Sequence, residues 1–298
     1  MMTITKIYIK LILVAFIWGG TFIAGRIAAP YLSPYTGAAL RFTFASICLL
    51  WLVSKTHSWV APSPKIWLQT ILMGLTGVVV YNLCFFEGLK HISASRAALV
   101  IATNPVCALL AARIFLGEHL TLRRIVGILI SLCGAVIVIT QGDLALLWNG
   151  GIGIGEVIIF GCVLSWVTYT LLSKKAMQTL SPLTATTYST LIGCTFLIVF
   201  AISKGGIQEI ATIPINAWVA LAFLGILGTA VAFNWYLDGV RELGAAGAAL
   251  FINLVPVFAV LLAVSILGES LNLTTLVGGG LVIGGISLTN QIKEPKLL

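Results

Sequence analysis

The chain has 298 residues, of which 59% are hydrophobic and only 9% charged, with a net charge of +8. A water-soluble domain carries roughly 25% charged residues, so the apolar surplus excludes a single soluble core and makes lipid the natural solvent. No run of five like charges marks a nucleic-acid tail, so the basic balance is read as loop charge that sets membrane orientation.

A spanning helix needs roughly 20 apolar residues, because the hydrocarbon core is about 30 Å thick and a helix rises about 1.5 Å per residue. In chain order, the apolar segments predict helices at 8–29, 36–54, 66–87, 94–116, 122–140, 152–173, 182–203, 216–238, 245–268 and 273–290. Lys6 and Lys10 before the first segment imitate a secretory signal, but the apolar pattern runs on to Ala29, which predicts a retained helix. Pro30, Pro34, Pro62, Pro64, Gly150-Gly151, Ser181-Pro182 and Gly205-Gly206 punctuate the links. The six cysteines fall singly in six apolar stretches and read as small buried residues.

With the N-terminus in the cytoplasm, cytoplasmic segments hold Lys6, Lys10, Lys55, Lys65, Arg113, Arg123, Arg124, Lys174, Lys175, Arg241, Lys293 and Lys296. The outer segments then hold only Arg26, Lys90, Arg96 and Lys204, and Arg41 lies within a helix. This asymmetry places both termini in the cytoplasm.

An internal repeat orders the whole chain. Trp18 matches Trp166, and Leu32-Ser33-Pro34 matches Leu180-Ser181-Pro182, at an offset of 148 residues. Gly74 and Gly77 match Gly225 and Gly228 at an offset of 151, as do Glu87-Gly88 with Asp238-Gly239 and Pro105-Val106 with Pro256-Val257. Leu116-Gly117-Glu118 and Leu267-Gly268-Glu269 continue the second register. Residues 1–145 and 146–298 thus form two repeats of five helices. Five is odd, so the second copy enters the membrane from the opposite side. The fold expected is an all-α membrane protein of ten transmembrane helices in two inverted repeats, an architecture recurrent among secondary transporters.

Trp18-Gly19-Gly20-Thr21-Phe22, Leu40-Arg41-Phe42, Asn104-Pro105-Val106 and the two Leu-Gly-Glu segments resemble the EamA-type members of the drug/metabolite transporter superfamily. Gly155-Glu156, Ser165-Trp166 and Pro256-Val257 extend the resemblance over essentially the whole chain. The resemblance implies helices around a central cavity in the cell inner membrane and an alternating-access cycle. It also implies export of small organic solutes such as amino acids or their metabolites.

Candidate cavity residues follow from spacing. Trp18, Thr21, Phe22 and Gly25 share one helix face, and Trp166, Tyr169, Thr170 and Ser173 repeat that spacing. Tyr81 and Asn82, and then Asn234, Trp235 and Tyr236, put polar and aromatic groups inside two spans, either to bind solute or to bond between helices. Pro105 and Pro256 fall near the middle of matched helices beside Asn104 and Asn253, where a broken helix serves as a hinge or a substrate contact, or remains a fixed kink. Arg41 is either an anion contact or half of a structural pair with Glu156. Glu118 and Glu269 read as helix-end residues that favour the N-terminus of the helix that follows.

No cofactor or metal is expected, since His57, His91 and His119 lie in loops without a metal spacing and no phosphate-binding loop is present. An enzyme is therefore disfavoured. A channel or a structural membrane subunit is the alternative to a carrier, and proton antiport and facilitated diffusion both stay open. Glycines of the last helix suit a close helix contact, and monomer and homodimer are both compatible with them.

Overall fold

The computed structural model describes residues 4–56, 63–104, 106–107, 110–111, 114, 121–140, 142, 153–176, 179–236, 238–239, 251–252 and 254–290. Every regular element among the described residues is helical. Helix α1 is Ile4–Ala28 and α2 is Pro34–Thr56. Pro64–His91 forms α3, followed by α4 at Ala94–Ile101 and α5 at Leu122–Thr140. The second half holds α6 at Ile154–Ala176, α7 at Pro182–Ser203, a short α8 at Gly206–Ile210 and α9 at Ile215–Tyr236. It closes with α10 at Val255–Leu267 and α11 at Leu273–Asn290.

The spans of α1, α2, α3, α6, α7 and α9 are long and apolar enough to cross a membrane. The outer surface supports that reading, because Trp51, Leu68, Phe196, Val199, Val219 and Leu276 are all exposed. Such a girdle is stable only against lipid. The protein is therefore an integral membrane protein. Three further apolar helices, in α5, α10 and α11, are shorter. The predicted helices at 94–116 and 245–268 are described only in part, as α4 and α10, and their remainders lie largely outside the described residues.

Helix ends follow local chemistry. Ser93 accepts a bond from the Arg96 N–H and Ser181 from the Thr184 N–H, each capping the helix that follows. Pro182 occupies the first turn of α7, where no backbone donor is needed. Gly268 ends α10 at φ +65°, a left-handed conformation that disfavours a β-carbon.

Two features have no counterpart in the sequence pattern. The first is α8, which ties back to the head of α2 through Glu209. The second is a π-helical stretch inside each of two spans, Gly74–Val80 in α3 and Phe223–Val231 in α9. These stretches coincide with the glycines matched at the 151-residue offset. A π turn displaces carbonyls from regular pairing, and side chains take them up. The Trp18 indole N–H donates to the Gly228 carbonyl at 3.0 Å. Asn82 donates to the Val78 carbonyl at 2.8 Å, and Thr229 to that of Leu224 at 3.0 Å.

Packing exchanges partners between the halves. Helix α1 packs on α9 and α10, and its counterpart α6 packs on α3 and α4. Helix α2 packs on α9, and its counterpart α7 on α3. Helices α2 and α7 pack on each other, as do α5 and α11. The main buried core joins residues of both halves, from Phe22, Phe42 and Phe85 to Leu197 and Leu221.

Candidate functional site

The centre of the bundle is an aromatic cage built by α1, α3, α6 and α9. Trp18 lies 5.7 Å from Phe233 and 5.5 Å from Tyr236, between ring centroids. Across the bundle, Trp166 stacks on Tyr169 at 5.2 Å and meets Tyr81 at 5.7 Å. Phe233 also reaches Trp166, at 6.4 Å, so one ring touches both tryptophans. Tyr81 stacks on Phe85 at 6.2 Å, and Phe85 meets Phe22 at 5.7 Å. Edge and offset contacts of this kind are each worth about 0.5–1.5 kcal/mol beyond area burial. Trp18, Trp166, Tyr81, Tyr169 and Phe233 are each partly exposed.

The structure sorts the sequence candidates. Trp18, Tyr81, Trp166 and Tyr169 come together in the cage. Thr21 is buried and spends its hydroxyl on the Trp18 carbonyl at 2.5 Å. Asn82 is 1% exposed and both ends of its amide are engaged, so it points at the protein rather than at a cavity. Trp235 packs against Val14 and Ile17, with the Lys10 ammonium 5.9 Å from its ring. Asn234 is half-buried on the same turn. The Asn104 side-chain oxygen is buried and has no hydrogen-bond partner. Pro105 and Asn253 lie outside the described residues.

Pro256 sits in the first turn of α10, not mid-helix as the hydropathy suggested. Proline lacks the N–H that would continue the preceding turn, which suits it to the first turn of a helix. The chain accordingly breaks at Leu254, and at the matched Ala102 and Thr103 before the other proline.

Arg41 and Glu156 are not partners. Arg41 donates to Asn82 Oδ1 at 2.9 Å, whereas the Glu156 carboxylate pairs with Arg96. Phe233 and Phe85 were not among the candidates from spacing. The repeat held no signal for Phe233, which aligns with Asn82 and not with another aromatic residue at the 151-residue offset.

One end of the bundle, at the head of α2 and the tail of α3, carries polar contacts between the halves. Arg96 of α4 pairs with the 3%-exposed Glu156 of α6. Glu269, past the end of α10, accepts from the backbone of Ala94 at 2.8 Å and of Ser95 at 3.2 Å, and from the Ser95 hydroxyl at 2.6 Å. Glu269 therefore serves the N-terminus of α4, not that of the helix following it. A cleft of about 350 Å³ lined by His91, Ser95, Arg96, Glu269, Asn272 and Thr275 opens beside this cap. Glu209 accepts from the Ser33 N–H at 2.9 Å and its hydroxyl at 2.8 Å. At the opposite end, Lys10 of α1 pairs with Asp238 at 2.7 Å.

Burial pushes the Glu209 carboxyl up, but hydrogen bonds from Ser33 and Thr36 outweigh it and leave its pKa below the ordinary value. A lowered folded pKa contributes stability above the unfolded value, about 4.3, and loses it as pH falls through the folded one. Wild-type protein is therefore expected to melt above Glu209→Gln near neutrality, with the gap closing in acid. A gap unchanged between neutral and acidic pH would contradict this.

Comparison with known proteins gives a consistent answer. Residues 5–140 and 153–291 each match the model of the EamA-like transporter family. An uncharacterized transporter, YyaM, of Bacillus subtilis is 31% identical, over 98% of this chain and 96% of its own. A probable terminal-alkyne amino-acid exporter of Streptantibioticus cattleyicolor is 29% identical, over 97% and 95% respectively. A solved crystal structure shares the fold at a TM-score of 0.65 and 19% identity, covering 96% of this chain and 98% of that one.

Proposed function

This chain belongs to the EamA-like transporter family, and from that premise we propose that it is a secondary transporter that exports small organic solutes across the inner membrane. Amino acids or related metabolites are the favoured substrates, moved by alternating access. The topology that goes with this reading has ten spans in two inverted five-helix repeats, with both termini cytoplasmic.

The observation that carries the reading is the aromatic cage shared by the two halves. Trp18 and Trp166 hold matched positions in α1 and α6 and converge on Phe233. A solute seated there contacts both halves, so rocking one against the other changes its access without dismantling its site. The polar contacts among Arg96, Glu156, Glu269 and Ser95 tie the halves at one end and serve as the closed gate. The amino-acid exporter of S. cattleyicolor supports the substrate class.

The test is flux from proteoliposomes loaded with labelled amino acids and small metabolites, with and without a pH gradient. Saturable, counter-stimulated efflux is the expected result. Trp166→Ala and Asn234→Ala are expected to shift the transport constants by about 2- to 12-fold, the scale of one stacking or polar interaction with the solute. Unsaturable flux would favour a channel, and no flux from folded protein a structural subunit.

A further inference from the structure

Arg41 lies in α2, about 10 Å along the helix from Pro34, and it is only 9% exposed. A guanidinium carries five N–H donors and cannot shed its charge. Here one donor reaches Asn82 Oδ1 at 2.9 Å. The Nε group is buried and has no acceptor. The rings of Phe42 and Phe85 lie 5.3 and 5.7 Å from the guanidinium carbon. They offer π-faces but no hydrogen-bond acceptor.

No carboxylate balances this charge among the described residues. Glu87 pairs with Lys90 and His91, Glu156 with Arg96, and Asp238 with Lys10. Glu209 serves Ser33, and Glu269 serves Ala94 and Ser95. A charge at this depth is costly unless it pairs or faces water. Asn82 does not remove that cost, because an amide oxygen supplies one bond and no charge. Its own N–H₂ is committed to the Val78 carbonyl, which fixes its rotamer. Asn82 thus aims the guanidinium and leaves it unneutralised. The repeat sharpens the point: the position matching Arg41 is Ser189, so the cation is present in one half only.

We propose that Arg41 is the anion subsite of the transported solute, receiving its carboxylate as a charge-assisted pair. The inference rests on the carrier reading and deepens it by naming a substrate class. Phe85, beside the guanidinium, is stacked on Tyr81, which leads to Trp166. A carboxylate on Arg41 therefore places the rest of the solute against aromatic faces. The class is carboxylic acids with an apolar or aromatic body, amino acids included. Arg41 neutralises the acid as it leaves water, and the acid removes the cost of the buried cation.

The test pairs each acid with its uncharged amide: L-phenylalanine, L-leucine and 3-phenylpropionate against L-phenylalaninamide, L-leucinamide and 3-phenylpropionamide. Binding to purified protein is read as ligand-induced thermal stabilisation, independently of flux. Wild type is expected to bind at least one acid about 10-fold or more tightly than its amide, the scale of one hydrogen-bonded charge pair. Arg41→Gln should bring that ratio to about one, and Arg41→Lys should retain part of it. Arg41→Lys keeps the charge and serves as the informative variant where Arg41→Gln fails to fold. Equal binding of acids and amides by wild type, a ratio unchanged in both variants, or stabilisation by none of the acids would overturn the proposal. Equal binding with saturable flux would leave the carrier standing without this subsite. Acid-specific binding with no flux would do the reverse.

Discussion

Replacing Arg96 with methionine is expected to destabilise the protein by about 3–5 kcal/mol, the cost of stranding one member of a buried ion pair. The partner, Glu156, is 3% exposed and sits in the first turn of α6, with Arg96 as its cation. At this burial, water replaces only part of what Arg96 supplies. The helix N-terminus offers some compensation, worth about 0.3–1 kcal/mol, which is too little. The double variant Arg96→Met with Glu156→Met is expected to recover most of the stability, because two apolar side chains need no partner. Thermal melts of the four proteins in detergent close the cycle. If the single variant melts within a degree or so of wild type, the pair carries no such weight.

The second large effect concerns α9 against α2. A β-carbon on Gly225 would run into the Arg41 carbonyl oxygen and sit 2.6 Å from Phe44 Cβ. Neither neighbour is the tip of a flexible chain, so the helices must part. Alanine normally gains about 1 kcal/mol over glycine within a helix. Here overpacking, at about 1–3 kcal/mol, is expected to win. Gly225→Ala should lower the melting temperature and weaken transport, since the displaced backbone carries Arg41. Gly284 in α11 is the control, with nothing within 4 Å of an added β-carbon. Gly284→Ala is expected to be neutral or stabilising. Equal melting of the two variants would contradict the close approach.

The same close approach recurs in the other half, where a β-carbon on Gly74 would meet the Ser189 carbonyl at 2.8 Å. Ser189 aligns with Arg41 at the 148-residue offset. Gly74 and Gly225 were legible as a matched pair in the sequence, but what they make room for was not. The tryptophans were legible for a similar reason: identical residues at a constant offset stand out without coordinates. Phe233 was not, because its aligned partner is Asn82 and the two side chains do different work. Phe233 bridges two rings, while Asn82 holds a cation.

Charges show the same division. Hydropathy placed Arg41 and Glu156 inside or near the membrane, and with depth alone they looked like partners. The structure gives Glu156 to Arg96 and leaves Arg41 on an amide. Glu269 was expected to favour the following helix, yet it caps α4, which lies more than 170 residues earlier in the chain. Nothing local distinguishes a near helix end from a distant one.

Composition and periodicity by themselves determined that this protein lives in lipid, where its six long described spans begin and end to within a few residues, and that its halves resemble each other. Those properties depend on each segment's own transfer from water and its own spacing. The π stretches, the convergence of both tryptophans on Phe233, and a cation with no carboxylate partner among the described residues were decided by tertiary structure alone. Each depends on which helix faces lie together at distances of a few ångströms, and helices facing one another in lipid are selected by shape and by the few polar groups between them, not by hydropathy.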